Sequence, residues 1–296
     1  MSLSDTLMSL EPAAKAAVLV EALPWLQAFH GQTVVVKFGG NAMVDPVLTR
    51  TFAEDVAFLA LAGIKPVVVH GGGPQISAAL KAAGIASEFK GGLRVTSREA
   101  IPVVRGALVD GVAAGLVAAL AAAGASGVGL PGDVDGLLRG GRRGTVVDGV
   151  EVDLGEVGEV SEVNAGPVLE ALGAGRVPVV STLATADDGA TLNVNADSAA
   201  AAIAVALGAR KLIILTDVAG LYADWPRTDS LIPHLDSARL RAMIPTLESG
   251  MIPKMQACLQ AVEGGVAKAA IIDGRQAHSL LLEIFTDHGV GTEVVK

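Results

Sequence analysis

Two short runs of β-branched residues, each stopping abruptly at glycines, constrain this chain more than any other feature. The first reads Val34-Val35-Val36-Lys37-Phe38-Gly39-Gly40 and the second Val67-Val68-Val69-His70-Gly71-Gly72-Gly73. Unbroken apolar runs of this kind belong to strands buried on both faces, as in a parallel sheet covered by helices. Each run passes into a helix-like stretch, so backbone N–H groups and a helix N-terminus converge just beyond the strand end. That is an anion site. Lys37 adds a compact cation suited to phosphate. Two such loops on neighbouring strands predict that two anionic groups are brought together, the pattern of phosphoryl transfer. The usual P-loop, Gly-x-x-x-x-Gly-Lys-Ser/Thr, does not occur.

With 296 residues, 51% of them hydrophobic and only 3% aromatic, the chain can bury a large aliphatic core. That suits one large α/β domain or two lobes sharing a sheet. A formal net charge of −9 and the lack of any basic cluster with interleaved aromatics argue against nucleic acid. In an acidic protein that binds anions, cations must be placed locally, so lysines among glycines gain weight. The single cysteine, Cys258, excludes an internal disulfide and fits a reducing cytoplasm. Asp5, Glu11 and Lys15 do not make a secretory leader. The Ala/Gly-rich stretch Gly111 to Ala125 is shorter than the roughly 20 residues of a membrane span and reads as a buried helix.

Along the chain, Glu11 to Phe29 has helical apolar spacing, with Pro24 expected to kink or interrupt it. Strand–glycine–helix units follow at Val34 to Gly63 and Pro66 to Gly84. A long helix is predicted over Ile101 to Ala123, then a short buried strand at Gly127 to Leu130. Asp148-Gly149 between Thr145-Val146-Val147 and Val150-Glu151-Val152 is a hairpin signal. A helix at Val168 to Leu172 leads to a buried strand at Val177 to Ser181, and Lys211 to Leu215 is a further strand. The turn Asp187-Asp188-Gly189 marks the expected boundary between lobes. This divides the chain into an appended helix (1–30), a first lobe (31–190) and a second (191–296).

Further polar residues stand out. Asn193, Asn195 and Asp197 alternate with Val194 and Ala196, which would line one face of an extended segment with short hydrogen-bonding groups; Asp197 could equally cap the Ala-rich helix that follows. Lys254 opens a helix after Pro253, where the macrodipole disfavours a cation unless an anion compensates it. Arg94, after Gly91-Gly92, offers a planar fork for a carboxylate. His70 to Gly73 also resembles an esterase oxyanion loop, but no Gly-x-Ser-x-Gly elbow accompanies it. Gly127-x-Gly129-x-x-Gly132 lacks the strand–helix context of a dinucleotide fingerprint. His30, His234 and His288 have no metal-ligand spacing, the carboxylates form no acid–base pair, and Arg139, Arg142 and Arg143 read as a solvated loop.

Together these stretches resemble the amino-acid kinase family, and within it the branch that phosphorylates N-acetyl-L-glutamate. The resemblance rests on Lys37-Phe-Gly-Gly40-Asn41-Ala42-Met43, His70-Gly-Gly-Gly73-Pro74-Gln75-Ile76, Gly92-Leu-Arg94-Val-Thr96, Asn193-Val-Asn195-Ala-Asp197, Leu215-Thr-Asp217-Val, Gly250-Met-Ile-Pro-Lys254 and Gly289-Val-Gly-Thr292. It implies a mainly parallel sheet sandwiched by helices, two lobes sharing it, and transfer from ATP to the side-chain carboxylate in arginine synthesis. Lys37 and Lys254 would neutralise the moving phosphoryl group and Asp197 would orient them. Gly39, Gly40, Thr216 and Asp217 would serve the phosphates and nucleotide, with Mg2+ carried on ATP. Gly72, Gly73, Arg94 and Asn193 would hold the amino-acid substrate. The resemblance also implies a cytoplasmic homohexamer, a trimer of dimers interlaced through the N-terminal helix. L-Arginine would inhibit it at Lys211, His278, Glu283, Gly289 and Gly291. The insertion-like Ala223-Asp224-Trp225-Pro226-Arg227 would lie in the nucleotide-side loop. Two alternatives share the fold: another acylphosphate-forming kinase, or a catalytically silent arginine sensor.

Overall fold

The computed structural model describes residues 11–147, 149–287 and 289–296. Asp5 with the rest of the first ten residues, Asp148 at the expected hairpin turn, and His288 lie outside them.

An eight-stranded sheet forms the centre of the molecule. The first glycine-terminated run is β1 (Thr33–Phe38) and the second is β2 (Lys65–His70), paired in parallel with Phe38 opposite His70. On the other side of β1 lies β13 (Lys211–Thr216), with Ile214 opposite Lys37. Outward from there come β15 (Lys268–Asp273), β16 (Thr292–Val295) and the edge strand β14 (His234–Asp236). Beyond β2 lie β10 (Val177–Ser181) and the other edge, β5 (Gly127–Pro131). Every pairing in this sheet is parallel except β15 with β16. The ends of β1, β2, β10 and β13 therefore open together at one edge, where parallel sheets bind ligands.

Side-chain alternation along the strands divides the core in two. Val35, Val67 and Val69 point into one cluster with α8 (Ala196–Ala206) and α10 (Ile252–Glu263). Val34, Val36 and Val68 point into the other with α3 (Pro46–Leu61). The run of alanines in α8 lets that helix lie close to the sheet and to α10. Asp45 caps α3, its Oδ1 accepting from the amides of Val47 (2.7 Å) and Leu48 (3.3 Å). Phe38 and Phe52 stack with centroids 4.0 Å apart, holding α3 against the exit of β1.

The N-terminal segment is broken as Pro24 requires, into α1 (Pro12–Glu21) and α2 (Leu23–Phe29), with the proline in the first turn of the second piece. No residue of α1 is buried. The long apolar helix runs over Ile101–Ala122, as α5 (Ile101–Gly106), a π segment (Ala107–Ala113) and α6 (Ala114–Ala122). The stretch Gly111 to Ala125 lies mostly within this longer helix, whose 22 residues are long and apolar enough to cross a membrane by length and composition. It is also only partly buried. Leu108, Leu116 and Leu120 enter the core, and the opposite face is open. The strand at β5 is likewise less buried than its apolar sequence implied, because it is an edge.

The hairpin is present as β7 (Thr145–Val147) and β8 (Val150–Val152), and a helix covers Gly166–Gly173, here α7. The turn Asp187 to Gly189 connects β11 (Leu183–Thr185) to β12 (Thr191–Val194), an antiparallel hairpin. A division at residue 190 falls inside that hairpin. With β6 (Leu138–Arg142) and β9 (Val157–Val163) these strands close a small barrel above the β10 end of the sheet.

Candidate active site

Three charged side chains meet where β1, α8 and α10 end or begin. Lys37 Nζ lies 2.9 Å from Asp197 Oδ1, and Lys254 Nζ lies 3.0 Å from Asp197 Oδ2. Asp197 is positioned by Asn195, whose Oδ1 accepts from the amides of Asp197 (2.8 Å) and Ser198 (3.1 Å) and so starts α8. This differs from the extended segment expected for Asn193 to Asp197. The chain bends at the cap, so Asn193 stays on β12 while Asp197 enters the helix. Lys254 occupies the first turn of α10, against the macrodipole, and the compensating anion within the protein is Asp197.

Burial sets the electrostatics of this triad. It draws the Lys37 ammonium below its ordinary value more than Asp197 restores it, with Lys254 adding to the fall. Burial alone would raise the Asp197 carboxyl; the two ammonium groups overrule it and hold the group ionised, below the usual range.

The glycine loops wrap this centre. A side chain at Gly39 would begin 2.6 Å from Lys37 Nζ, so only glycine leaves the ammonium its place. Gly40 has φ +76°, and a Cβ there would sit 2.9 Å from Asp217 Oδ1. Asp217 follows Thr216, a buried residue whose carbonyl accepts from Gly274 N at 2.8 Å. After β2, Gly72 precedes α4 (Gly73–Ala82), so first-turn amides face the cleft. The loop is fixed from behind by His70, which is fully buried. Its Nδ1 lies 2.8 Å from Gly71 O and its Nε2 2.9 Å from Ser181 Oγ. A carbonyl can only accept, so Nδ1 carries the proton and Nε2 accepts from the serine. Burial pushes the imidazole down to about 4, and the ring is neutral. Thr182 Oγ1 donates to His70 O at 3.1 Å.

Next to the loop is a cavity of about 180 Å³, bounded by Gly71 to Gly73, Ile76, Phe89, Arg94, Thr182 and Asn193. Gly71 backs on to Ala196, the neighbour of Asp197, so the cavity adjoins the lysine triad. Asn193 Nδ2 donates to Thr96 Oγ1 at 3.1 Å. Arg94 comes from β4 (Leu93–Val95) of a two-stranded hairpin with β3 (Glu88–Lys90). It is buried beneath Phe89, its guanidinium 4.6 Å from the ring centroid. The open fork expected from sequence is partly engaged. Nη1 donates to Ser87 Oγ, and Nη2 donates to Gly73 O (3.0 Å) and Ser77 Oγ (2.8 Å). Sequence reasoning did not single out Ser77, Ser87 or Ser181, and it gave His70 and Thr96 no partners, because Ser181 and Asn193 lie about a hundred residues away in the chain.

The remaining residues divide. Lys211 Nζ lies 2.7 Å from Glu283 Oε1 and 3.2 Å from Glu293 Oε2, and Val290 N donates to Glu283 Oε2 at 3.0 Å, with Gly289 close against that carboxylate. His278, at the start of α11 (Ser279–Phe285), faces elsewhere, its Nδ1 2.6 Å from Asp55 Oδ1. Gly291 packs against the Ile271 carbonyl. Arg139, Arg142 and Arg143 are not a loop of free charges. The first two lie on β6, and they pair with Asp187, Glu156 with Asp188, and Glu159 respectively. Among the described residues no group of three or more His, Cys, Asp or Glu could hold a metal ion.

A buried cation pair on a carboxylate, framed by two glycine loops at strand ends, invites comparison with known proteins. Residues 32–273 match the amino acid kinase family. This chain belongs to that family. The acetylglutamate kinase of Arthrobacter sp. (strain FB24) is 61% identical over 287 residues, 95% of this chain and 93% of the relative. Among solved structures, the N-acetylglutamate synthase of Neisseria gonorrhoeae complexed with coenzyme A and N-acetyl-glutamate superposes with a TM-score of 0.82 at 27% identity. The match covers 95% of this chain and 63% of the synthase. The same synthase with coenzyme A and L-arginine gives 0.77 at 26%, covering 95% of this chain and 65% of that one. This chain thus spans just under two thirds of the synthase.

The His70 arrangement predicts a pH effect. Unfolded, the ring titrates near 6.5; folded, near 4. Between those values the unfolded chain binds more protons, so stability should rise with pH across the window, by about 3 kcal/mol in total, and be complete above 6.5. Denaturant titrations at several pH values should show this slope in the stability difference between the parent protein and His70→Gln. Asp55, raised by burial to about 6 despite His278, acts oppositely in both proteins and cancels in the difference. An identical slope in the variant would show that His70 is not the neutral clip described.

Proposed function

We propose that this chain transfers the γ-phosphoryl group of ATP to the side-chain carboxylate of N-acetyl-L-glutamate, giving an acylphosphate for arginine synthesis. The observation that carries the reading is the Lys37–Asp197–Lys254 triad adjoining a cavity with Arg94 and Asn193 on its wall. The acetylglutamate kinase of Arthrobacter, similar to this chain over nearly the full length of both, supports it.

Phosphoryl transfer needs positioning and charge neutralisation and little covalent chemistry from the protein. Two ammonium groups on one carboxylate leave a net positive charge held in a buried place, preorganised for charge that develops in the transition state. Lys37, beside Gly39 and Gly40, meets the transferring group from the β1 side, and Lys254 meets it from α10. Asp197 fixes both. The first-turn amides after Gly72 take oxygens of the phosphoryl group and acceptor, while Arg94 and Asn193 hold the acceptor's other carboxylate and acylated amine. A carboxylate acceptor is already a nucleophile, so no general base is required, which suits a site without an acid–base pair. Thr216 and Asp217 lie on the nucleotide side. Magnesium does not fit an all-protein site here, because both oxygens of Asp197 are taken by lysines; the ion belongs to the nucleotide. Comparing N-acetyl-L-glutamate with glutamate, aspartate and carbamate at fixed ATP tests the acceptor. Preference for any of the other three would overturn the assignment.

Lys37→Ala and Lys254→Ala should each lower kcat by about 100-fold or more while leaving substrate affinity much less affected. Steady-state kinetics that return a near-normal kcat for either variant would remove that lysine from the mechanism.

We further propose a cytoplasmic hexamer inhibited by L-arginine. Two features support it. No residue of helix α1 is buried, and its apolar Val18, Leu19 and Val20 are exposed; an apolar groove of about 640 Å³ lined by Leu26, His30, Phe58 and Leu61 lies beside α2. The Lys211–Glu283 pair with Gly289 offers the opposite charges an arginine would exchange with, and a synthase of related fold has been seen with L-arginine. Removal of residues 1–30 should yield a smaller assembly that keeps turnover and loses sensitivity to arginine. Light scattering and an arginine titration check both halves; unchanged assembly with unchanged inhibition refutes them.

A further inference from the structure

We infer that Glu156 is a positioning residue for the acceptor cavity, setting the distance between Thr96 and Asn193. The inference rests on the reading of that cavity as the acceptor site. Glu156 stands just ahead of β9 and is 7% exposed, although nothing in the phosphoryl-transfer chemistry uses it.

Its backbone is threaded between the two residues in question. Glu156 N donates to Thr96 O at 2.7 Å, and Asn193 N donates to Glu156 O at 2.9 Å. The side chains of those same residues meet across it, Asn193 Nδ2 on Thr96 Oγ1 at 3.1 Å. The backbone of one residue therefore spaces the pair on the main chain, and the side-chain bond closes the ring. Asn193 reaches into the cavity from this ring, and Val157, next to Glu156, forms part of the wall.

The carboxylate anchors that spacer. Arg142 of β6 lies 2.7 Å from Glu156 Oε2 and 2.9 Å from Asp188 Oδ2, in the turn between β11 and β12. Arg98, two residues after Thr96, lies 3.4 Å from Glu156 Oε1. So one buried carboxylate ties the segment after β4 and strand β6 to the start of β9, and Arg142 extends the tie to the turn that leads into β12. The segment after β4 carries Thr96, the start of β9 brings Glu156 and the cavity-lining Val157, β6 pairs with β9, and the turn runs into β12, which carries Asn193; none of them carries Lys37 or Lys254. Charged hydrogen bonds to a buried carboxylate are among the stronger tethers a protein can make, and a neutral replacement leaves Arg142 with Asp188 as its remaining carboxylate partner. The tether acts on the acceptor side alone, which gives it a kinetic signature that a general loss of stability lacks.

The test is a full kinetic comparison of the intact chain with Glu156→Gln, Glu156→Asp and Arg142→Ala. The expected result for Glu156→Gln is an acceptor KM raised about tenfold, an ATP KM within about twofold, and a kcat at saturation largely kept. Glu156→Asp should recover part of the loss. Arg142→Ala, at a half-exposed position that leaves Glu156 in place, should raise the acceptor KM in the same direction by less; it alone decides the matter if Glu156→Gln does not fold. An unchanged acceptor KM overturns the proposal, as does a parallel rise of both KM values with a lowered Tm, the mark of a purely structural residue. The acceptor used is whichever of N-acetyl-L-glutamate, glutamate, aspartate and carbamate the parent enzyme phosphorylates. A wrong acceptor assignment then appears in the parent's profile, while a wrong role for Glu156 appears only in the ratio of variant to parent.

Discussion

The buried carboxylate of Asp197 is the interaction on which the rest of the site depends. Two lysines from opposite sides of the cleft share it, one from the sheet and one from a helix more than fifty residues further along the chain. Without it, burial would drive Lys37 towards neutrality, and the desolvation of two ammonium groups would go uncompensated. With it, a positive centre persists where water is largely excluded. Such arrangements are rarely the cheapest way to stabilise a fold, since apolar side chains of similar volume often do as well. Their value is positional: the charges stand where they are before the substrate arrives.

The surrounding fold serves that placement. Parallel strands bring four chain exits to one edge, and the alternation along β1 sends its valines into two separate cores while Lys37 emerges at the end. His70 has a related task without charge. A protonated ring at that depth would cost several kcal/mol, so the histidine works as a neutral two-ended hydrogen-bonding strut between the exits of β2 and β10.

Much of this was legible in the sequence for identifiable reasons. Strands β1, β2, β10 and β13 are continuous aliphatic runs, so their number and parallel setting could be read directly. Lys37, Arg94 and Lys254 announced themselves by their neighbours, because glycine and proline impose specific local geometry. Which residue caps the helix was not legible: the sequence offered Asp197 as the cap or an extended run through it, and the structure uses Asn195. The arginines on β6 were misread as well: Arg142 finds Glu156 and Asp188 only after two strands have paired. The openness of β5 was hidden as well, as an edge strand and a central one share the same composition. Information that is local in the chain survived; information that depends on who sits opposite did not.

The partners of Arg94 have a consequence for selectivity. A guanidinium has five N–H donors, and here Ser87, Ser77 and the Gly73 carbonyl engage both hydrogens on Nη2 and one on Nη1. Either two-point grip on a carboxylate uses Nη2. An incoming carboxylate must therefore displace an existing partner, so binding is a trade between acceptors and the net gain is small. Under such terms the charge of a ligand is a poor ticket of entry. What separates one amino acid from another is whether its shape lets the displaced carbonyl or hydroxyl find a new donor.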